Sequence, residues 1–328
     1  MSPLGSRRYL RQHWLTSGLL ALGAIAASSS ASLSAAASED VTYKTVGVDG
    51  LKLFYREAGP PNAPTVLLLH GFPTSSHMFR DLIPKLAVRY HVVAPDYPGY
   101  GFSDAPPVEQ FTYSFDRLTD VIERFTEKLG LTRYSLYMQD FGGPVGFRLA
   151  TRHPDRVEAL IIQNAVAHLE GLSDGFEPAR AFWKNRNAET EKPMRDLLTI
   201  ETTKFQYLHG ASRPERVSPD SWTLDQALLD RPGNAEIQLA LLYDYRNNPP
   251  RYEDWQAYLR DRRPPTLVVW GRNDPFFTVA GANAYKRDVP EAELHVFDGG
   301  HFVLEEYSTE IATLIKTFLG THLPARAK

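Results

Sequence analysis

Short apolar runs bounded by Gly, Pro, Asn or Asp recur along the chain: TVLLLHG (65–71), YHVVAPDYPG (90–99), RYSLYMQD (133–140), VEALIIQNA (157–165), PPTLVVWGRNDP (264–275) and AELHVFDGGH (292–301). Continuous apolar runs this short read as strands buried on both faces. MFRDLIPKLA between the first two has helical spacing, GFRLATRHP continues a helix after the third, and a last helix is expected over about 306–319. Strands alternating with helices predict an α/β protein with a mostly parallel, doubly wound sheet. The leading pair, VTYKTVGVDG and LKLFYREAG, alternates more and carries a turn, which predicts an antiparallel hairpin at one edge. From 168 to 263 strand-like runs stop, and Trp183, Phe205, Tyr207, Trp222, Tyr243, Tyr245 and Trp255 stand among helical segments. The expected organisation is therefore a core over 38–167, an inserted helical cap over 168–263 and the rest of the core over 264–328.

The first 37 residues read differently. Arg7 and Arg8 precede an apolar stretch over 15–27, and Ala35, Ala36 and Ala37 supply the small residues a signal peptidase reads. This is the pattern of a cleaved export signal of the twin-arginine type, and the apolar stretch is short for a transmembrane helix. The mature protein is expected to be periplasmic or secreted, without stable membrane insertion. Cleavage takes three arginines and no acid, moving the net charge from −3 to −6.

Charge and composition narrow the partners. Lys and Arg are scattered among Asp and Glu, which gives no electrostatic case for nucleic acid and suits a small neutral, hydrophobic substrate. Cysteine is absent, so disulfides, thiolate nucleophiles and Cys-bound metals are excluded. No metal site or nucleotide loop is visible in the motifs, and no cofactor is expected.

The candidate chemistry lies at the ends of the apolar runs. LYMQDFGGPVG (136–146) has the layout of a nucleophile elbow, a sharp strand-to-helix turn flanked by small residues, with Asp140 at its apex and Gly142, Gly143 and Gly146 beside it. Asp274 follows one apolar run in GRNDP and His301 follows another in DGGH, so all three groups fall in loops at one end of a parallel sheet. Their order, nucleophile, acid, histidine, is that of a catalytic triad on this kind of sheet. Taken singly, Asp140 reads as a helix N-cap, Asp274 as an Asp-Pro turn former and His301 as a loop histidine. HGFP (70–73) ends the first buried run where an oxyanion hole takes its second donor, which nominates the backbone N–H groups of Phe72 and Phe141. Gly171-Leu172-Ser173-Asp174-Gly175 matches G-x-S-x-G but has no strand before it and no periodic helix after it, so Ser173 is not expected to be a nucleophile.

These residues carry a resemblance. Over about 45–320 the chain resembles the Asp-nucleophile branch of the α/β-hydrolase superfamily, which holds epoxide hydrolases and haloalkane dehalogenases. HGFP is similar to the HGxP motif of epoxide hydrolases, PDYPGYGFSD (95–104) to a loop common to both, and QDFGG (139–143) to the QDWGG elbow of certain dehalogenases. YDYRN (243–247) resembles the segment in which epoxide hydrolases place one of two ring-opening tyrosines. The resemblance implies an α/β-hydrolase fold, Tyr245 as the acid and Tyr207 as its partner, although either ring could simply pack in the cap. Departures bear on the substrate. Phe141 stands where dehalogenases use an indole N–H for the halide, and Phe141 and Pro144 stand where fluoroacetate-type enzymes carry arginines.

A carboxylate nucleophile suits displacement at a saturated carbon, giving an alkyl ester on the enzyme that water cleaves with help from a histidine. With tyrosines present and the indole missing, an epoxide hydrolase using Asp140, Asp274, His301 and Tyr245 is the leading expectation. The alternative is a haloalkane dehalogenase in which Trp183 or Trp222 lends its indole N–H. A catalytically silent binder of a hydrophobic ligand is the alternative of another class.

Overall fold

The computed structural model describes residues 40–323. The expected export signal over 1–37 therefore lies outside the described residues. The strands are β1 (Thr42–Val48), β2 (Leu51–Ala58), β3 (Thr65–Leu69), β4 (His91–Pro95), β5 (Tyr134–Gln139), β6 (Val157–Gln163), β7 (Thr266–Gly271) and β8 (Glu293–Phe297). They form one sheet in the order β1-β2-β4-β3-β5-β6-β7-β8. β1 and β2 are the expected hairpin, closed at Asp49 (φ 51°) and Gly50 (φ 81°), the positive-φ pair of a hairpin turn. β2 runs antiparallel to β4, and every pairing from β4 to β8 is parallel.

Strand periodicity divides the core. Leu67 and Leu69 of β3, with Leu136 and Met138 of β5, pack on one face with Phe115, Val121, Val145 and Leu149 from helices Phe115–Lys128 and Gly142–Arg152. Val66 and Leu68, one residue out of phase, pack on the other face with Leu86, Val303, Ile311 and Ile315. Both faces of the sheet are thus covered, which is why β3, β4 and β5 read as unbroken apolar runs.

Two helical expectations are adjusted. MFRDLIPKLA is two pieces, a 3-10 turn Ser76–Phe79 capped by the Ser75 hydroxyl and a short helix Ile83–Ala87. Pro84 in the first turn of the second piece lacks the N–H that would continue the ladder from the first. The last helix is longer than expected, Val303–His322. Helices Phe115–Lys128 and Val279–Asp288 complete the layers without having been anticipated.

Between β6 and β7 there are helices and no strand among the described residues. The last of them, Tyr252–Arg262, stacks Trp255 on Phe147 with ring centroids 5.2 Å apart, so it belongs against the core layer although it falls inside the expected cap. The chain leaves β3 toward β4 on one side of the sheet and leaves β5 toward β6 on the other. β3 and β5 are neighbours, so the crevice beyond their carboxyl ends is the switch point where such sheets place a site.

Candidate active site

Asp140 follows β5 directly and has φ 48°, a left-handed conformation uncommon for a residue with a side chain. Its surroundings hold that turn. A Cβ on Gly142 would lie 2.2 Å from the Leu69 carbonyl oxygen, and one on Gly71 would lie 2.3 Å from the Asp140 Cβ, so only glycine lets the two loops meet. The Phe72 N–H donates to Asp140 Oδ1 at 2.7 Å, and the Phe141 N–H also donates to the carboxylate. The two groups expected to form an oxyanion hole therefore already engage the carboxylate of the nucleophile candidate, Phe72 at Oδ1, and Oδ2 faces His301 Nε2 at 4.0 Å. Burial pushes the Asp140 carboxyl up to about 6, against the pull of His301 and the two N–H groups.

His301 Nδ1 donates to Asp274 Oδ2 at 2.8 Å. Asp274 is itself fully engaged: Oδ2 also accepts from Asn164 Nδ2 at 2.7 Å, and Oδ1 accepts from the N–H groups of Phe276 (2.8 Å) and Phe277 (3.1 Å). Burial opposes a charge on His301, but the facing Asp274 carboxylate outweighs it and the imidazole is held above its ordinary range. With its Nδ1 proton turned to Asp274, His301 accepts at Nε2 from Gln139 Nε2 at 3.0 Å, on the side that faces Asp140.

Asn164 was not singled out from sequence. It follows β6 directly with φ 41°, accepts the Gly271 N–H at 3.0 Å on Oδ1 and donates to Asp274 from Nδ2, which ties the ends of β6 and β7 together. Its signal was available: a polar residue closing the buried run VEALIIQ at the same sheet edge as Asp140 and Asp274.

Tyr245 opens a 3-10 turn, Tyr245–Asn247, and is buried with its ring parallel to Trp183 at 5.6 Å between centroids and 5.8 Å from Phe141. The turn is fixed on both flanks: Asp244 Oδ2 accepts the Phe115 N–H at 2.8 Å, and Asn248 Oδ1 accepts from Arg148 Nη1 at 2.8 Å. Burial, with Tyr252 and Asp140 nearby, holds the Tyr245 phenol well above its usual range, so it is a proton-bearing donor. Asp140, His301 and Tyr245 line one cavity of about 130 Å³, with room for on the order of ten water-sized groups. Phe72, Phe176, Met194, Leu242 and Phe277 supply apolar wall.

Tyr207 is not brought to this cavity, which corrects its expected placement. Its ring stacks on Phe302 at 4.0 Å, and its hydroxyl donates to buried Asp225 Oδ2 at 2.5 Å. One residue along a helix is a rotation of about 100°, and that rotation turns Tyr207 toward the core while Gln206 faces the cavity. The indole candidates fare similarly. Trp183 lines the cavity but its Nε1 donates to the Leu242 carbonyl at 2.8 Å, and Trp222 packs near Tyr207 away from the lining. The Ser173 hydroxyl donates to the Pro275 carbonyl at 2.6 Å and starts a 3-10 turn, consistent with a loop residue. Among the described residues no cluster of three His, Cys, Asp or Glu side chains is arranged to hold a metal.

A sheet with this strand order, an acidic elbow after β5 and a His–Asp pair after β8 and β7 define a class. The family profile for the alpha/beta hydrolase fold matches residues 64–307, and the chain belongs to that family as one of its hydrolases. It is 44% identical over 268 residues to an uncharacterized hydrolase of Saccharomyces cerevisiae, covering 80% of this chain and 92% of the yeast protein. A haloalkane dehalogenase of Psychrobacter cryohalolentis is 27% identical over 289 residues, covering 82% and 88% of the two chains. The crystal structure of the haloalkane dehalogenase DbeA from Bradyrhizobium elkani superposes with a TM-score of 0.70 at 22% identity, covering 86% of this chain and 98% of that one, a likeness of fold.

Proposed function

We propose that this hydrolase opens small, neutral, apolar epoxides to diols through an alkyl ester on Asp140. The observation that carries the reading is the division of the Asp140 carboxylate. Oδ1 accepts the Phe72 N–H while Oδ2 is turned to His301, and Asp140, His301 and Tyr245 line one cavity. Oδ2 attacks a ring carbon, the C–O bond breaks, and the departing oxygen takes the Tyr245 proton. Oδ1 then becomes the ester carbonyl without moving from the Phe72 N–H. His301 removes a proton from water, the hydroxide adds to the Asp140 carbonyl carbon, and the Phe72 and Phe141 N–H groups stabilise the oxyanion. Collapse expels the diol oxygen, which takes the proton from His301, and the remaining proton of that water returns through solvent to the Tyr245 phenolate. Asp274 keeps the imidazole in the tautomer this requires.

A second reading, haloalkane dehalogenation, is supported by the Psychrobacter relative. It asks for N–H donors to the halide, and the Trp183 indole would have to leave the Leu242 carbonyl to serve. Export of the mature chain, carried by the Arg7-Arg8 pattern, is part of the same proposal and places the reaction in the periplasm or outside the cell.

The test is a single turnover of styrene oxide, and in parallel of 1-bromobutane, in ¹⁸O-water. The expected result is unlabelled oxygen from Asp140 in the first diol and label left in the Asp140 side chain. Asp140→Asn should lose turnover and His301→Gln should accumulate a covalent adduct on Asp140. Bromide release without diol formation would reverse the ranking, and label directly in the first product would refute the ester.

A further inference from the structure

Gln206 lies near the end of helix Ile200–Leu208 and lines the same cavity as Asp140, Tyr245 and His301. Only 3% of it is exposed, and its Nε2 has no hydrogen-bond partner within the protein. Burying an amide without a partner is costly, and native structures seldom tolerate it unless another molecule completes the bond. The other polar side chains on the cavity wall are accounted for. Asp140 and His301 are held by the Phe72 N–H and by Asp274, and the Trp183 indole is held by Leu242. The Tyr245 hydroxyl, which neighbours Tyr252, and the Gln206 amide, whose Nε2 alone has no partner, are the neutral donors on this wall that a bound substrate can meet.

We propose that Gln206 is the second hydrogen-bond donor to the oxygen that leaves the ring carbon, acting beside Tyr245 in the place for which the cap motif suggested Tyr207. This rests on the epoxide reading above. The two donors differ in kind. A phenol can hand over its proton, whereas a carboxamide N–H keeps its own and only stabilises charge. An epoxide oxygen has two lone pairs and can accept from both as negative charge grows on it, so Gln206 contributes most when the ring opens. It has no part in cleaving the ester, because by then the departing oxygen is already a hydroxyl. Its effect therefore belongs to alkylation and not to hydrolysis.

The experiment separates those steps by rapid quench with styrene oxide, following the Asp140 ester by mass spectrometry. Gln206→Met keeps the length and removes the donor, and melting curves establish that it folds. Ester formation is expected to slow roughly 10- to 100-fold while ester hydrolysis stays within about twofold. Gln206→Glu should form ester more slowly still at pH 8, because a carboxylate there repels the developing alkoxide. Ester formation at the wild-type rate in Gln206→Met, or equal slowing of both steps, would overturn the role. Absence of any ester on Asp140 in His301→Gln would instead remove the epoxide reading on which the role depends.

Discussion

Asp140 carries a charge where burial disfavours one, and two measurable effects follow. Its carboxyl is pushed up to about 6 from an ordinary 3.8, and only the ionised form attacks carbon. Ester formation in the first turnover should therefore fall as pH drops through about 6, with the slope of one ionisation, in a stopped-flow or quench measurement. The stability effect has the opposite sense. Because the folded-state value lies above the unfolded one, the fold favours the protonated group, so its contribution is fully present below about pH 4 and is lost as pH rises through about 6. At pH 8 the cost is on the order of 3 kcal/mol, from roughly two units at 1.36 kcal/mol each. The inactive Asp140→Asn variant should thus melt above the wild type at pH 8, with the gap closing toward pH 4 in calorimetry. An Asn variant that melts lower at pH 8 would show that His301 and the backbone donors already offset the burial.

At the scale of elements, one turn of helix Ile200–Leu208 serves two environments. Gln206 looks into the cavity, and Tyr207 joins this helix to helix Pro219–Leu229 through Asp225, reinforced by the Thr203 hydroxyl on Gln226 at 2.8 Å. Burial pushes the Asp225 carboxyl up to about 8, against the pull of its hydrogen bond from Tyr207. Tyr207→Phe preserves the stack on Phe302 and deletes only the hydroxyl. It should lower stability by about 1–3 kcal/mol in urea unfolding, the cost of an unpaired buried group, while ester formation on Asp140 continues within about twofold. A large loss of ester formation without loss of stability would return Tyr207 to the reacting centre.

For the whole molecule, sheet order brings together loops that are far apart in the chain. The ends of β3, β5, β6, β7 and β8 meet at one edge, and residues of the helices between β6 and β7 line the cavity of about 130 Å³ there. That volume sets substrate size. Met194 is buried, comes from helix Ala188–Asp196 and lines the wall, so Met194→Ala should enlarge the cavity without touching a polar group. The ratio of kcat/KM for a bulky aryl epoxide to that for propylene oxide should rise by roughly tenfold, the worth of a few methylenes in an apolar pocket. An unchanged ratio would mean that the substrate binds elsewhere in the cavity.

Much of this was readable along the chain because the signals are local. A short apolar run ending at Gly or Asp marks a buried strand and the loop beyond it, so β3 to β8, the hairpin at Asp49-Gly50 and the loop positions of Asp140, Asp274 and His301 followed from a few neighbouring residues each. What only the tertiary structure decided depends on rotation and on distant pairs. Which of Gln206 and Tyr207 faces the cavity is a matter of one helix turning about its axis. Whether the Trp183 indole is free depends on the Leu242 carbonyl, and whether Asp140 is held depends on Phe72, 68 residues earlier. A hydrogen bond is short and directional while periodicity repeats with only residue-level precision, so a sequence pattern names the groups that can meet, and packing selects the ones that do.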